Sequence, residues 1–388
     1  MTRPTHAPRV LFAGGGTGGH VCPAVAVARA LKTLAPGADV LFLGSGRPVE
    51  RKILEATGLP YDVVPSAPGR GPRAVVAQVR ALAHALSRVR AFRPDVVLGL
   101  GGFASVPGAL AGRLTGAPLC LFEPNAAPGR ANRLLARFAR EAYGHWDATR
   151  LACEVVPAGT PLNEAALAPP DLTRDAARAR LDLPASAGRV VLVMGGSQGA
   201  RALNAWLAAA LASVDVAARA RASGAAFVHL AGSEDAAAPL RDAYARAGVT
   251  ATVLPFLRDV GLAYRAADLA VVRGGGATLA ELLATGLPGR VVPLRGVADD
   301  HQQANALAFA RTGAGEVLDE ATLGPAALAS VLDALDDEVG LERAREAALR
   351  TGRPGAASVV ARRLLQVAKF TVDDVELAGE SSAAAVAA

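Results

Sequence analysis

Short, wholly apolar runs recur along the chain, separated by longer stretches in which apolar residues return with helical spacing. Residues 10–13, 40–43, 96–100 and 119–122 read as strands buried on both faces, because a strand with one wet face would alternate instead. Helical stretches of about 10–20 residues lie between them, the pattern of βαβ units with parallel strands. A second series follows at 190–194, 227–230, 252–254, 269–272 and 290–293. Between the two series lies Val156-Pro157-Ala158-Gly159-Thr160-Pro161, which reads as an interdomain linker. The expected fold class is α/β, with two doubly wound Rossmann-like domains facing across a cleft. Ligands of such sheets bind at the carboxyl ends of the strands, so loops from both domains are expected to share one site.

Composition narrows this further. A chain of 388 residues holds two or three domains at roughly 100–200 residues each. Apolar residues make up 52% and charged residues 20%, which supports real cores and excludes a chain disordered throughout. No run of eighteen apolar residues is free of charge or repeated Gly and Pro, so no spanning helix is expected. The polar stretch from Met1 to Pro8 lacks the apolar region of a signal peptide. Cys22, Cys120 and Cys153 are widely spaced, giving neither a disulfide framework nor a zinc site and fitting a reducing cytoplasm. The tail after Lys369, residues 370–388, reads as disordered.

Candidate chemistry starts in the glycine loops. Gly14-Gly15-Gly16-Thr17-Gly18-Gly19-His20 follows the first strand and leads into a helix that is expected to open at Pro23. Glycines let backbone approach a phosphate, and a helix N-terminus adds free N–H groups and a positive dipole. Gly14, Gly16 and Gly19 meet the dinucleotide pattern, but that site wants an acid ending the second strand. Here that strand ends Leu43-Gly44-Ser45-Gly46. There is no G-K-[ST] either, so a P-loop is excluded. Gly195-Gly196-Ser197-Gln198-Gly199-Ala200 and Arg273-Gly274-Gly275-Gly276-Ala277-Thr278 repeat the strand–loop–helix theme in the second half. Three such junctions suggest a nucleotide diphosphate held by backbone amides. No D-x-D motif is present, so no metal clamp and no cofactor is required.

These residues resemble the MurG family of bacterial peptidoglycan synthesis, whose members are UDP-N-acetylglucosamine–N-acetylmuramyl-(pentapeptide) pyrophosphoryl-undecaprenol N-acetylglucosamine transferases of GT-B fold. The resemblance spans most of residues 8–368. It is carried by residues 15–20 followed by x-x-Pro-Ala, by Gly101-Gly102-Phe103, and by Glu123-Pro124-Asn125-Ala126-x-Pro128-Gly129-x-x-Asn132. Residues 195–200, the loop from Arg273 to Glu281, and Asp299-Asp300-His301-Gln302-x-x-Asn305-Ala306 complete it. It implies domains at 1–158 (acceptor and membrane side) and 159–350 (UDP-sugar), with a helix at 351–369 returning to the first. It places Thr17, Gly18 and Gly19 near the diphosphate and transferred sugar, Asn125 on the N-acetylglucosamine and Ser197 at the diphosphate. Leu257 would offer backbone to the uracil. Gly276, Ala277, Thr278, Leu279, Ala280 and Glu281 would line the nucleotide, with Glu281 on the ribose hydroxyls, and Gln302 would hold sugar hydroxyls. The family often has Arg where this chain has Asn163, a nucleotide contact, Gln where it has Pro124, and Ser where it has Gly274. Phe103 stands where a Tyr is common and lacks its hydroxyl.

Sugar transfer from UDP needs a base for the acceptor hydroxyl and stabilisation of the departing UDP. His20, where a glycine turn enters a helix, is one candidate base, and the alternative is a structural histidine bonding the turn. Glu123 is the other candidate, and its alternative role is to hold the loop before Pro128. Glu281 suits a diol because a carboxylate offers two acceptor oxygens. Arg273 faces phosphate or pairs within the fold. His6, His84, His145 and His229 show no ligand spacing.

Charge adds a partner. Between Gly69 and Arg140 eleven Arg stand against Asp95 and Glu123, so this segment carries +9 and the rest of a chain of net +6 sums to −3. From Arg73 to Arg93, Val75, Val79, Leu82, Leu86 and Val89 form a helical stripe flanked by Arg73, Arg80, Arg88, Arg90 and Arg93. An amphipathic helix packed on its sheet is the default. An apolar patch with an Arg rim on anionic lipid is the alternative, and a lipid-linked acceptor favours it. Nucleic acid is not expected, since aromatics are only 4% and are not interleaved with the Arg. The resulting expectation is a peripheral enzyme at the cytoplasmic face of the membrane. It moves N-acetylglucosamine, with inversion, from UDP to the C4 hydroxyl of undecaprenyl-pyrophosphoryl-muramoyl-pentapeptide, turning lipid I into lipid II. Another UDP-sugar enzyme of this fold, such as a 2-epimerase, and an inactive sugar-nucleotide binder are the rivals.

Overall fold

The computed structural model describes residues 6–65, 72–196, 201–294 and 300–370. The chain divides into two compact units, residues 1–163 with 354–388, and residues 164–353.

In the first unit the strands are β1 (Arg9–Ala13), β2 (Asp39–Gly44), β3 (Tyr61–Val63), β4 (Val96–Gly99), β5 (Leu119–Glu123), β6 (Glu141–Gly144) and β7 (Glu154–Val156). They form one parallel sheet in the order β3-β2-β1-β4-β5-β6-β7. The helices are α1 (Gly18–Leu34), α2 (Pro48–Thr57), α3 (Pro72–Phe92), α4 (Ser105–Leu114) and α5 (Arg130–Leu135). Successive strand residues point to opposite faces, and both faces are covered. Val10, Phe12, Val40, Phe42, Val96 and Leu98 meet α1, while Leu11, Leu41, Leu43, Val97 and Leu121 meet α3 and α4. That explains why the strands lack a polar alternation.

The second unit holds α6 (Arg174–Arg180), β8 (Val190–Met194), α7 (Arg201–Leu211), α8 (Val214–Ala222), β9 (Ala226–Leu230), α9 (Glu234–Ala247), β10 (Thr250–Leu254) and α10 (Val260–Ala266). It continues with β11 (Leu269–Val272), α11 (Gly276–Thr285), β12 (Gly289–Val291), α12 (His301–Arg311), β13 (Gly315–Val317), α13 (Pro325–Asp336) and α14 (Glu338–Thr351). Its parallel sheet runs β10-β9-β8-β11-β12-β13. The last helix, α15 (Ala356–Val367), belongs to the first unit. Val360, Ala361, Leu364 and Leu365 pack into the core beside α1. Arg363 grips buried Glu141 of β6 through Nε and Nη2, at 3.2 and 2.5 Å.

Three sequence expectations shift. Four short strands, β3, β6, β7 and β13, carry too few apolar residues to be read from pattern. Residues 156–161 are not free linker: Val156 ends β7, Gly159 N–H donates to Gly144 O, and Thr160 is buried. Helix α1 begins at Gly18, five residues before Pro23. A proline there removes only the bond to the carbonyl of Gly19, an exposed residue.

A polar network lies inside the second core. His229 of β9 is fully buried, with Nε2 3.0 Å from Asn204 Oδ1 and Nδ1 3.1 Å from Tyr244 Oη. Asn204 Nδ2 donates to Ala231 O, so its Oδ1 is an acceptor, and the single imidazole proton sits on Nε2. Burial lowers the His229 pKa to about 4. The unfolded chain takes up this proton near pH 6.5, the folded chain only near pH 4, so stability falls with pH across that window by up to about 3 kcal/mol. Thermal melts of wild type and His229→Gln at pH 7 and pH 4.5 check this: the variant should show the shallower pH dependence, and equal slopes refute it.

Candidate active site

Two glycine loops interlock at the carboxyl ends of β1 and β4. Gly14, Gly15 and Gly16 all take positive φ, at 115°, 148° and 92°. A Cβ on Gly14 would lie 2.7 Å from Ser105 Cβ and 2.8 Å from Gly101 O. A Cβ on Gly15 would collide with the carboxylate of Glu50. Glu50, from α2, is buried and accepts the Ser45 N–H at 2.9 Å and the Ser45 hydroxyl at 2.5 Å. An acid therefore does stand at the end of β2, delivered by the following helix and not by the strand. It is occupied by Ser45.

This loop sets the first turn of α1. Thr17 is its extended N-cap residue, and Thr17 Oγ1 lies 2.9 Å from His20 Nδ1. His20 is half-buried, and its Nε2 would lie 3.5 Å from a Cβ on Gly101, so the ring spans from α1 to the β4 loop. Gly18 and Gly19 are the first residues of α1.

Glu123, the last residue of β5, is buried and fully engaged. Its Oε1 accepts from Asn125 N and Nδ2 at 3.1 and 2.9 Å, and its Oε2 from Gly129 N at 2.9 Å and Asn132 Nδ2 at 3.0 Å. Burial raises its pKa, and these four donors oppose the rise. Asn125 is thereby fixed by Glu123 on one side and, through its carbonyl, by the Thr149 hydroxyl on the other. Asn132 also donates to Phe122 O at 2.8 Å. Asn163 is exposed.

In the second unit, Gly275 is the N-cap of α11, whose first turn, Gly276 to Leu279, carries no acid. Its unpaired N–H groups and dipole suit an anion. Glu281 follows in the second turn beside Leu279 and Ala280, both buried. Its Oε2 accepts from the Tyr264 hydroxyl at 2.6 Å, and burial pushes its pKa up to about 7 despite that bond. Tyr264 carried no sequence signal, because its partner lies on another helix. Gly274 answers the departure from Ser: a Cβ there would collide with the backbone of Gln302, and Asn305 Nδ2 donates to Gly274 O at 3.0 Å. Gln302, in the first turn of α12, accepts the Leu294 N–H at 2.9 Å. Leu257 is half-buried in the loop after β10, beside exposed Phe256.

Arg273 resolves toward pairing. It is buried, with Nη2 2.7 Å from Glu320 Oε1 and Nη1 3.2 Å from Val292 O, while its buried Nε has no hydrogen-bond partner among the described residues. Glu320 lies 47 residues on and was not legible as its partner. Ser197 lies outside the described residues. Among the described residues no group of three His, Cys, Asp or Glu could hold a metal ion.

Known proteins bear directly on this geometry. The glycosyltransferase family 28 N-terminal domain matches residues 10–144, and the family 28 C-terminal domain matches residues 190–359. A UDP-N-acetylglucosamine–N-acetylmuramyl-(pentapeptide) pyrophosphoryl-undecaprenol N-acetylglucosamine transferase of Alkalilimnicola ehrlichii is 39% identical over 95% of this chain and 100% of its own. One from Pseudomonas aeruginosa is 38% identical over 93% and 99%. The crystal structure of Acinetobacter baumannii MurG superposes with a TM-score of 0.76 at 29% identity, covering 92% of this chain and 99% of that one. The chain belongs to the MurG family. It is a GT-B glycosyltransferase built from two family 28 domains. A putative UDP-N-acetylglucosamine 2-epimerase from Listeria monocytogenes shares the fold, with a TM-score of 0.64, at only 14% identity.

In this MurG-family chain burial places Glu281 at a cost to the fold. Its folded pKa lies above the usual carboxylate value, so the folded state holds a proton that the unfolded state loses between about pH 4.5 and 7. Glu281 therefore costs stability progressively over that range, and the full cost persists above it. Glu281→Gln should melt higher than wild type at pH 8, by more than at pH 5. A variant that melts lower at pH 8 would show that the carboxylate is not strained.

Proposed function

We propose a division of labour for the reaction of this family, transfer of N-acetylglucosamine from UDP-N-acetylglucosamine to muramoyl-pentapeptide-pyrophosphoryl-undecaprenol. The first unit supplies the base and the second holds the nucleotide. With His20 Nδ1–H donating to Thr17 Oγ1, Nε2 carries the lone pair and takes the proton of the acceptor's C4 hydroxyl. The freed oxygen attacks the anomeric carbon from the face opposite UDP, so the α-linked donor gives a β(1→4) product. The observation that carries this reading is the Thr17–His20 pair at 2.9 Å in the first turn of α1. Glu123, with four donors from its own loop, is a positioning residue that sets Asn125 toward the sugar's acetamido group.

On the donor side, the amides of Gly276, Ala277 and Thr278 meet the charge that grows on the departing diphosphate, and Glu281 takes the ribose diol. Leu257 backbone reads the uracil. The carbonyl end of Gln302 is held by Leu294, so its amide group meets the sugar hydroxyls. Thr17, Gly18, Gly19, Asn163 and Ser197 complete the substrate contacts by resemblance alone.

Turnover of labelled UDP-N-acetylglucosamine with a short-chain lipid I analogue tests the assignment. His20→Ala should lower kcat by about 10²–10⁴-fold with KM for the donor within about twofold, and Glu281→Ala should chiefly raise that KM. A His20→Ala enzyme retaining kcat within tenfold sinks the base assignment.

The lipid-linked acceptor calls for a membrane-facing surface, and α3 offers one. Ala81, Ala85 and Val89 form its buried face. Val75, Val76 and Val79 are instead 61, 50 and 62% exposed near its start, and Arg80 is exposed beside them. The expected stripe is thus split between core and surface. No helix among the described residues is long and apolar enough to cross a membrane. The enzyme then works as a peripheral protein on the cytoplasmic leaflet, and by supplying lipid II it serves cell-wall growth, cell shape and division. A Val75→Asp/Val79→Asp protein should lose most of its sedimentation with anionic phosphatidylglycerol vesicles while keeping UDP affinity. Unchanged sedimentation excludes this face.

A further inference from the structure

A cavity of about 260 Å³ lies within the second unit, at the amino ends of β11 and β12. That is the opposite end of the sheet from the glycine loops. Arg174, Arg265 and Arg345 line it, together with Tyr264, Gly261 and Gly286. None of the three arginines belongs to any motif of the transfer reaction.

The charges around it do not balance. Arg174 and Arg178 share one carboxylate, Asp268, at 2.5 and 2.6 Å. Asp268 also accepts the Val190 N–H at 2.7 Å. Arg345 reaches Glu342 at 3.5 Å, and Arg265 is exposed at the rim. Three guanidinium groups thus line the cavity, and none of the described residues lining it is acidic. The carboxyl end of α11, at Thr285 and Gly286, adds only about half a negative charge. Burial, followed by the nearby Arg174, pulls the Arg345 pKa below its ordinary value, and Arg265 adds to the effect. Guanidinium groups that converge on a cavity with charge in excess are suited to bidentate binding of phosphate oxygens. The volume admits a phosphate or diphosphate group.

We propose that this cavity is a second anion site, taking a compact phosphoanion apart from the donor, and that its occupancy weakens donor binding. The link is Tyr264, which lines the cavity and also donates to Glu281. A negative charge behind Tyr264 favours the protonated form of Glu281, which is the poorer acceptor for a ribose diol. This second half of the proposal rests on the ribose role of Glu281, whereas the anion site itself does not.

The test uses the full chain saturated with UDP and titrated with inorganic pyrophosphate by calorimetry. One saturable site is expected, weakened at least tenfold in Arg345→Gln and in Arg265→Glu, with UDP affinity of both variants within twofold of wild type. No saturable binding to the UDP-saturated wild type, or equal binding by Arg265→Glu, overturns the site. Because Arg265 is exposed, that variant decides the matter even if Arg345→Gln fails to fold. UDP titrations at fixed pyrophosphate then read the coupling, expected as at least a threefold loss of affinity in wild type that disappears in Arg265→Glu. A loss that persists in the variant is competition at the donor loops and overturns the coupling alone.

Discussion

The contact between the β1 and β4 loops is the constraint from which the first half-site follows. Gly14 and Gly15 press against Gly101, Ser105 and the Glu50 carboxylate at distances that leave no room for a side chain. Because the loops meet this closely, α1 starts immediately after the turn. Thr17 then becomes the N-cap residue and His20 falls in the first turn, with its ring between the two loops. Any residue larger than glycine at 14 or 15 would both strain a positive φ and push the loops apart. The glycines here clear space for protein groups as much as for a ligand.

Donor count sorts the carboxylates by role. Glu123 receives four hydrogen bonds and Glu50 is held by Ser45, so their charges are met inside the protein. Glu281 receives one bond among the described residues, from Tyr264, and its pKa rises to about 7. A buried carboxylate short of donors is unfavourable until something supplies them. In the proposed ribose contact a diol would supply two, so the same shortage that weakens the empty fold would strengthen the liganded one. Arg273 shows the contrary case: its charge looked available for phosphate, but Glu320 already meets it.

The sequence made the strong strands and the glycine junctions legible, since uninterrupted apolar runs and strand–Gly–helix transitions are local signals. Strands β8 and β11 stand where the pattern placed them, at 190–194 and 269–272. The three-residue strands β3, β7 and β13 were not legible, because their place is fixed by pairing with a neighbour and not by their own composition. In the site, His20, Glu123 and Glu281 stood out by position in their loops. Asn132, a partner of Glu123, lay in the same motif, but Tyr264, which bonds Glu281, and Glu320, which bonds Arg273, depend on long-range packing that no local spacing announces. The stripe on α3 was legible as a face, but only the sheet beneath decides how much of that face is covered, here Val89 and not Val75 or Val79.

Helix α15 gives the molecule an order of assembly. It follows the second unit in the chain, yet its Val360, Ala361, Leu364 and Leu365 complete the core of the first unit, and Arg363 pairs with Glu141 there. During synthesis every residue of the second unit has been made before this helix exists. The usual order of domain folding, amino end first, is inverted in this respect: the earlier-made unit waits with an open apolar face and with Glu141 lacking its Arg363 partner. A nascent chain is therefore most vulnerable at its oldest part, and a stop codon shortly before α15 would leave the second unit whole while breaking the first.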